Sequence, residues 1–137
     1  MKQQPPPIWG VWKLRSVEVS SQTPMPGLTN SITVFTQRED GIHYIADSVY
    51  SNGLKTHVEC SLRLDGQTYA VTGSMFGDEL SARQTAPDTI EAAIYREGRI
   101  TASIRLSVRG AVLISDWQIV QEQGPPIVFS TISDRQE

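Results

Sequence analysis

The segment LKTHVECSLRL, residues 54–64, alternates apolar and polar side chains, and the segment ITASIRLSV, residues 100–108, repeats the arrangement. In the first segment the apolar side chains lie at alternate positions counted from Leu54 and include Cys60. In the second segment they occupy every second position from Ile100. A period of two places successive side chains on opposite faces of a β-strand. Both segments are therefore predicted to be strands with one buried face and one face in water.

Turn-forming residue pairs separate these strands from their neighbours. They lie about 10 to 14 residues apart, which is the spacing of strands joined by hairpins. Ten strands are predicted, over residues 10–19, 31–37, 42–49, 54–64, 67–72, 79–84, 89–96, 99–108, 111–121 and 127–133. All eight prolines lie outside the apolar runs, as expected because proline cannot donate a hydrogen bond to an interior ladder. The segment 20–30 has no period and is predicted to be the one long loop.

Consecutive strands joined by tight turns normally pair with each other. An open sheet of this kind would have two bare edges, whereas closure pairs its first strand with its last. We therefore predict an all-β fold, an antiparallel up-and-down barrel of about eight to ten strands. Two packed sheets would give the same alternation and are the alternative.

Length and composition limit the domain count and the partners. A chain of 137 residues is predicted to form one domain over residues 1–137, with a flexible, proline-rich N-terminus over residues 1–7. A net charge of -3 without any block of like charge argues against nucleic acid as a partner. The single cysteine, Cys60, excludes an internal disulfide and a cysteine-based zinc site.

Targeting signals are weak. Three prolines, residues 5–7, stand where a secretory signal peptide would have an apolar run. No apolar segment approaches the roughly 18 residues that a membrane-spanning helix needs. We predict a cytoplasmic protein without a membrane span, or a secreted or periplasmic one if a signal peptide has been removed.

The sequence Gly10-Val11-Trp12-Lys13-Leu14 resembles the Gly-x-Trp opening of lipocalins and of shorter bacterial lipocalin-like domains. The segments LDGQTYAVTG (64–73), TIE (89–91) and REGR (96–99) are similar to a largely uncharacterised bacterial lipocalin-like family of the calycin type. The resemblance implies an up-and-down barrel with a tryptophan that plugs the closed end under an arginine of the last strand.

The plug and its arginine can be assigned to positions in this chain. By this resemblance Gly10 and Trp12 are structural residues, and Arg135 is the candidate arginine, with Arg105 and Arg109 as rivals. The chain is shorter than full lipocalins and lacks their C-terminal helix and disulfide, so the resemblance does not extend to their extracellular transport role.

A barrel of this size either fills its interior with side chains or holds a small ligand there. We predict a small, largely apolar ligand and neither a cofactor nor a metal ion. Trp117 is the preferred contact because its strand mixes apolar residues with Ser115. Met75 and Phe76 are predicted at the mouth. The full set of predicted ligand contacts is Tyr44, Val58, Cys60, Leu62, Tyr69, Ile104, Leu106, Trp117 and Phe129.

Two other functions are open, although an enzyme is less favoured than a binding protein. An enzyme would need an inward titratable pair such as Asp116 with Tyr44 or His43, although Asp116 is predicted to point outward. The other alternative is an interaction module or homodimer with a packed interior and an apolar outer patch that includes an exposed Trp9.

A third candidate site is formed by His57 and a neighbouring carboxylate. His57 and Glu59 share one strand face and could begin a metal or general-base site. The same face carries Lys55 and Arg63, so it is predicted to be the exterior.

Overall fold

The computed structural model describes residues 8–19, 27–39 and 41–136. No helix long and apolar enough to cross a bilayer occurs among these residues. The described chain forms ten strands, in agreement with the predicted number. They are β1 (Gly10–Val19), β2 (Leu28–Arg38), β3 (Gly41–Tyr50), β4 (Lys55–Leu62), β5 (Asp65–Thr72), β6 (Glu79–Ala86), β7 (Thr89–Arg96), β8 (Arg99–Arg109), β9 (Val112–Ile119) and β10 (Ile127–Gln136).

The strands form one closed antiparallel barrel in which each strand pairs with its neighbours in sequence. Closure comes from β1, which pairs with β2 through Gly10 to Lys13 and with β10 along most of its length. The thinnest contact is between β4 and β5, where Glu59 faces Thr72 and Cys60 faces Val71. The predicted barrel is confirmed, and the two-sheet alternative is wrong.

The alternation of buried and exposed side chains holds along most strands, but it fails near some strand ends. Ala102, Ile104 and Val108 of β8 are buried, as predicted from the second alternating segment. Leu54 and Ile100, predicted on the buried phase, are instead 46% and 47% exposed. Leu54 does not reach the interior because it precedes β4. Ile100 does not reach it because the register between β7 and β8 shifts at this end, between Ile94 and the next residue.

The segment predicted as one long loop is shorter than expected, because β2 begins at Leu28. Leu28 lies opposite Tyr50, and the Thr29 hydroxyl donates a hydrogen bond to the Val49 carbonyl at 2.9 Å. The partner strand β3 therefore extends β2 toward its N-terminus in a stretch that shows no apolar alternation. The rest of that predicted loop, residues 20–26, and the predicted flexible terminus, residues 1–7, lie outside the described residues.

Trp12 fills the end of the barrel where the first strand begins and the last one ends. Its side chain is fully buried, and its indole N–H donates a hydrogen bond to the Ile8 carbonyl at 2.8 Å. The Arg135 guanidinium lies over the indole, 4.3 Å from the ring centroid, and donates a hydrogen bond to the Trp9 carbonyl at 2.5 Å. Gly10 has a φ of 118°, a conformation that side chains with a Cβ rarely adopt. This end is closed by packing, a cation–π contact and a backbone turn together.

Two other residues near this end differ from the sequence expectations. Trp9, predicted to be exposed, is half-buried and packs against the core, and its carbonyl accepts the hydrogen bond from Arg135. Arg105 and Arg109, the rival arginines, are exposed on β8.

We expect Arg135→Met to lower the free energy of unfolding by about 1–3 kcal/mol, because it removes the cation–π contact and a charged hydrogen bond. Urea unfolding followed by circular dichroism measures the loss. Arg109→Met is the matched control on an exposed strand end and should change stability by less than about 0.5 kcal/mol. Equal stability of the two variants would show that the guanidinium does not support the plug.

Candidate functional site

The interior of the barrel is not completely filled by side chains. It leaves about 150 Å³ in which the centre of a water molecule can lie. The space can therefore hold several waters. The β5–β6 connection, which carries Met75 and Phe76, borders the cavity. In an up-and-down barrel this connection lies at the end opposite Trp12, so the cavity extends toward the end that the tryptophan does not close.

Seven of the nine predicted ligand contacts line this cavity. They come from five different strands, which the barrel brings together around one space. The seven are Tyr44, Val58, Leu62, Ile104, Leu106, Trp117 and Phe129.

The other two predicted contacts do not line the cavity. Cys60 is buried in the core between Tyr44 and Val71, its partners in the two adjacent ladders. Tyr69 donates a hydrogen bond at 2.7 Å from its hydroxyl to the exposed Asp65 carboxylate. This contact draws the phenol toward water at the start of β5.

Aromatic rings form the wall nearest the mouth. Trp117 of β9 stacks on Phe129 of β10, with ring centroids 5.5 Å apart and planes 12° apart. Phe76 tilts against the other side of the indole at 5.7 Å. Phe76 and the 40%-exposed Met75 both border the cavity. The indole of Trp117 is therefore a ring that a bound molecule would touch, and its fluorescence can report binding.

Sequence reasoning singled out Tyr44 and Ser115 but missed the other hydroxyl groups of the wall. Ser31 and Ser48 lie opposite each other on β2 and β3, with their hydroxyls 3.0 Å apart. Ser115 and Thr131 face each other on β9 and β10 and are buried. The inner phase of β2 contains a serine and a threonine, and this is why its alternation is hard to see in the sequence. Together the cavity wall carries ten hydroxyl side chains: Ser31, Thr33, Tyr44, Ser48, Tyr50, Thr56, Ser74, Ser115, Thr131 and Ser133.

The titratable pair that an interior enzyme site would need is not brought together. Asp116 is exposed on the outer face of β9 and accepts a hydrogen bond from the Ser130 hydroxyl at 2.6 Å. Tyr44 borders the cavity, and His43 precedes it on the outer face of β3. Asp116 and Tyr44 therefore lie on different faces of the wall. Asp116 and His43 both lie on the outer face, but on strands that do not pair with each other.

The two histidines lie on the outer face of β3 and β4, and both lie close to Glu59. His57 Nδ1 lies 2.5 Å from the Asp47 carboxylate, and His57 Nε2 lies 3.4 Å from Glu59. Glu59 also lies 3.0 Å from His43 Nε2, and the Ser61 hydroxyl lies 2.8 Å from His43 Nδ1. Among the described residues no group of three or more His, Cys, Asp or Glu side chains is arranged to hold a metal ion. This outer cluster is an exposed chain of hydrogen bonds along two paired strands, as the prediction of an exterior face requires.

The fold has a counterpart among solved structures. No protein-family model and no curated protein matches this sequence. The crystal structure of the zebrafish ileal bile acid-binding protein complexed with cholic acid matches with a TM-score of 0.57 and 11% sequence identity. The match covers 93% of this chain and 98% of that one. The two chains therefore share a fold, which in this chain is a closed antiparallel β-barrel of ten strands.

The outer cluster predicts a raised histidine pKa. Hydrogen bonds to Asp47 and then to Glu59 raise the pKa of His57 above its usual 6.5. The protonated ring is thus favoured in the folded chain, so its stabilising effect is complete below pH 6.5 and is lost as the pH rises through the raised pKa. We expect NMR titration of His57 to give a pKa above 6.5, and Asp47→Asn to lower it. An unchanged pKa in Asp47→Asn would contradict this role.

The core position of Cys60 predicts an unreactive thiol. Burial raises the pKa of the Cys60 thiol to about 11, so little thiolate forms at neutral pH. We expect a disulfide reagent to modify the native protein far more slowly than the urea-unfolded protein, which acts as the control. Equally fast reaction of the two states would show that the thiol is accessible.

Proposed function

We propose that this protein binds a small, largely apolar molecule inside the barrel. The main observation in support is the unfilled, largely apolar interior next to the rings of Trp117, Phe129 and Phe76. Protein interiors are normally packed as densely as organic crystals. A cavity of this size with apolar walls and a few polar groups is the usual form of a small-molecule site. Removing an apolar ligand from water and placing it against these walls is favourable in proportion to the area buried.

The proposed contacts are the cavity-lining residues that the sequence also singled out. Tyr44, Val58 and Leu62 would contact the ligand from β3 and β4, and Ile104 and Leu106 from β8. Trp117 and Phe129 would contact it near the mouth. Cys60 and Tyr69 are left out of this proposal because of their positions.

The comparison with solved structures supports the proposal only through the shared architecture. The matching zebrafish protein is named a bile acid-binding protein and is complexed with cholic acid. We infer by analogy that the same kind of barrel serves binding in this chain. Membership of a bacterial lipocalin-like family and a cytoplasmic location remain proposals that rest on the sequence alone.

The alternative functions have less support. An interaction module with a packed interior is disfavoured because the interior retains free volume. An enzyme is disfavoured because Asp116 does not reach Tyr44. The homodimer stays a prediction.

We expect Ala92→Leu to weaken binding of the neutral, apolar dye Nile red by about tenfold or more. Ala92 borders the cavity from the middle of β7, opposite Ala82 and Ile104. The leucine side chain occupies space that the dye needs. Fluorescence titration of the dye, with native mass spectrometry to count bound molecules, measures the change.

The next residue on the strand provides the control. Ala93 faces outward, opposite Ser81 and Ser103, so Ala93→Leu adds the same atoms outside the cavity and should bind Nile red as the unmodified protein does. Dye binding that is equal in the two variants, or absent from the unmodified protein, would refute an interior site.

A further inference from the structure

The cavity wall has an unusual chemical composition. Among the described residues the polar groups that line it are hydroxyls and the indole of Trp117, and none is an acid, a base or an amide. The described wall therefore offers hydrogen bonds but no charge to pair with a charged ligand.

The arginine on the last strand does not supply that charge. Arg135 is in contact with Trp12 and with the Trp9 carbonyl at the closed end, and it does not line the cavity. An ionised carboxylate inside the barrel would lose its water and would have no cation to replace it. Such a ligand would be bound only if its head group stayed outside or took up a proton.

Tyr44 is the wall hydroxyl best placed to select a ligand group. It borders the cavity and forms no hydrogen bond with any described residue through its side chain. Burial raises the pKa of the Tyr44 phenol far above its usual range, so the group stays protonated and can donate a hydrogen bond. A ligand oxygen that accepts from this hydroxyl would pair a donor that no described residue pairs. The Tyr44 hydroxyl is thus a neutral donor with an open position in the cavity wall.

We propose, on the basis of the function proposed above, that the ligand is an uncharged amphiphile, with an apolar body and a hydroxyl or carbonyl oxygen that is bound by Tyr44. Ser115 and Thr131, which also form no side-chain hydrogen bond among the described residues, provide a second polar position on β9 and β10. The three strands β2, β1 and β10 separate β3 from β9 around the barrel. A ligand with a second oxygen can reach this position without any charged group.

A series of ligands with the same chain and different heads tests the charge requirement in the unmodified protein. Compounds with the same twelve-carbon chain are suitable because they differ only in the charge and the hydrogen-bonding groups of the head. Dodecanol, methyl dodecanoate, dodecanoate and dodecyltrimethylammonium would each compete with Nile red, below their micelle concentrations and at about pH 8, where the acid is ionised. We expect the alcohol and the ester to displace the dye at concentrations at least about tenfold lower than either ion does.

Lowering the pH distinguishes a cavity that excludes the charge of dodecanoate from one that excludes the shape of its head group. As the pH falls toward about 5, a growing share of the acid becomes neutral, so its apparent affinity should rise while that of the alcohol stays constant. If dodecanoate binds as tightly as dodecanol at the higher pH, the charge inference is wrong and the proposed apolar binding stands. If neither Nile red nor any of the four compounds binds, the proposed function fails and this inference fails with it.

Tyr44→Phe tests the hydrogen bond at nearly constant shape. We expect dodecanol to bind about fivefold or more weakly to this variant, while dodecane, which has no oxygen, binds at least as well as before. Tyr69→Phe removes a phenol hydroxyl outside the cavity and is the matched control, with no expected change for either ligand. Equal loss of dodecanol and dodecane binding in Tyr44→Phe, or no loss at all, would overturn the role of the Tyr44 hydroxyl. The ligand series on the unmodified protein decides the charge question even if this variant folds poorly.

Discussion

Pairing of β1 with β10 is the constraint on which the rest of the structure depends. It turns ten consecutive strands into a sheet without open edges, and so removes the exposed hydrogen-bonding groups that invite aggregation. Closure also gives every strand one inner and one outer side. The register slip between Leu14 and Ser16 on β1 shows that this strand bends as it pairs with β10. Because the first and last strands meet, their ends are also where the plug can be built.

The two ends of the barrel are finished differently, and this difference produces the cavity. At one end Trp12 and Ile8 are almost completely buried, and Arg135 covers the indole. At the other end the wall is made of rings, Trp117, Phe129 and Phe76, that contact each other without filling the centre. Packing is thus dense where the first and last strands meet, and the free volume lies between this plug and the opposite end.

Much of the fold could be predicted from sequence because the dominant signals are local. Alternation in residues such as Ala102, Ile104 and Val108 needs only the pleat of a strand, and the barrel follows from the need to pair its edges. The failures have non-local causes. Asp65 and Gly66 have the sequence of a turn, yet they belong to β5, where three steps from Asp65 to Thr68 match two steps on β6 and produce a bulge. Partner strands decide such features, and a single segment does not show its partner.

The candidate site could be predicted where it is apolar and was missed where it is polar. Leu62, Ile104 and Leu106 stand out because leucine and isoleucine on one phase indicate a buried face. Serine and threonine are equally common on outer faces, so Ser31 and Thr131 could not be assigned to the cavity until the barrel was closed around them. The alternation along a strand shows on which side of the wall a side chain lies, but not whether a neighbouring residue covers it. This is why Tyr69 and Cys60 were assigned to the cavity.

The strand period also explains how a chain that is one-fifth charged can keep its cavity neutral. On the outer face Arg83, Glu91, Arg105 and Asp116 stand directly opposite one another across β6, β7, β8 and β9, with alternating sign. Such cross-strand pairs favour the register that aligns them. One residue away on the same strands, Ala82, Ala92, Ile104 and Trp117 line the cavity. A shift of one residue would exchange the two rows and bury four charges, so the register that keeps the surface charged is the same one that keeps the cavity neutral. The uncharged wall on which the proposed ligand selection rests therefore follows from the pairing that holds the barrel together.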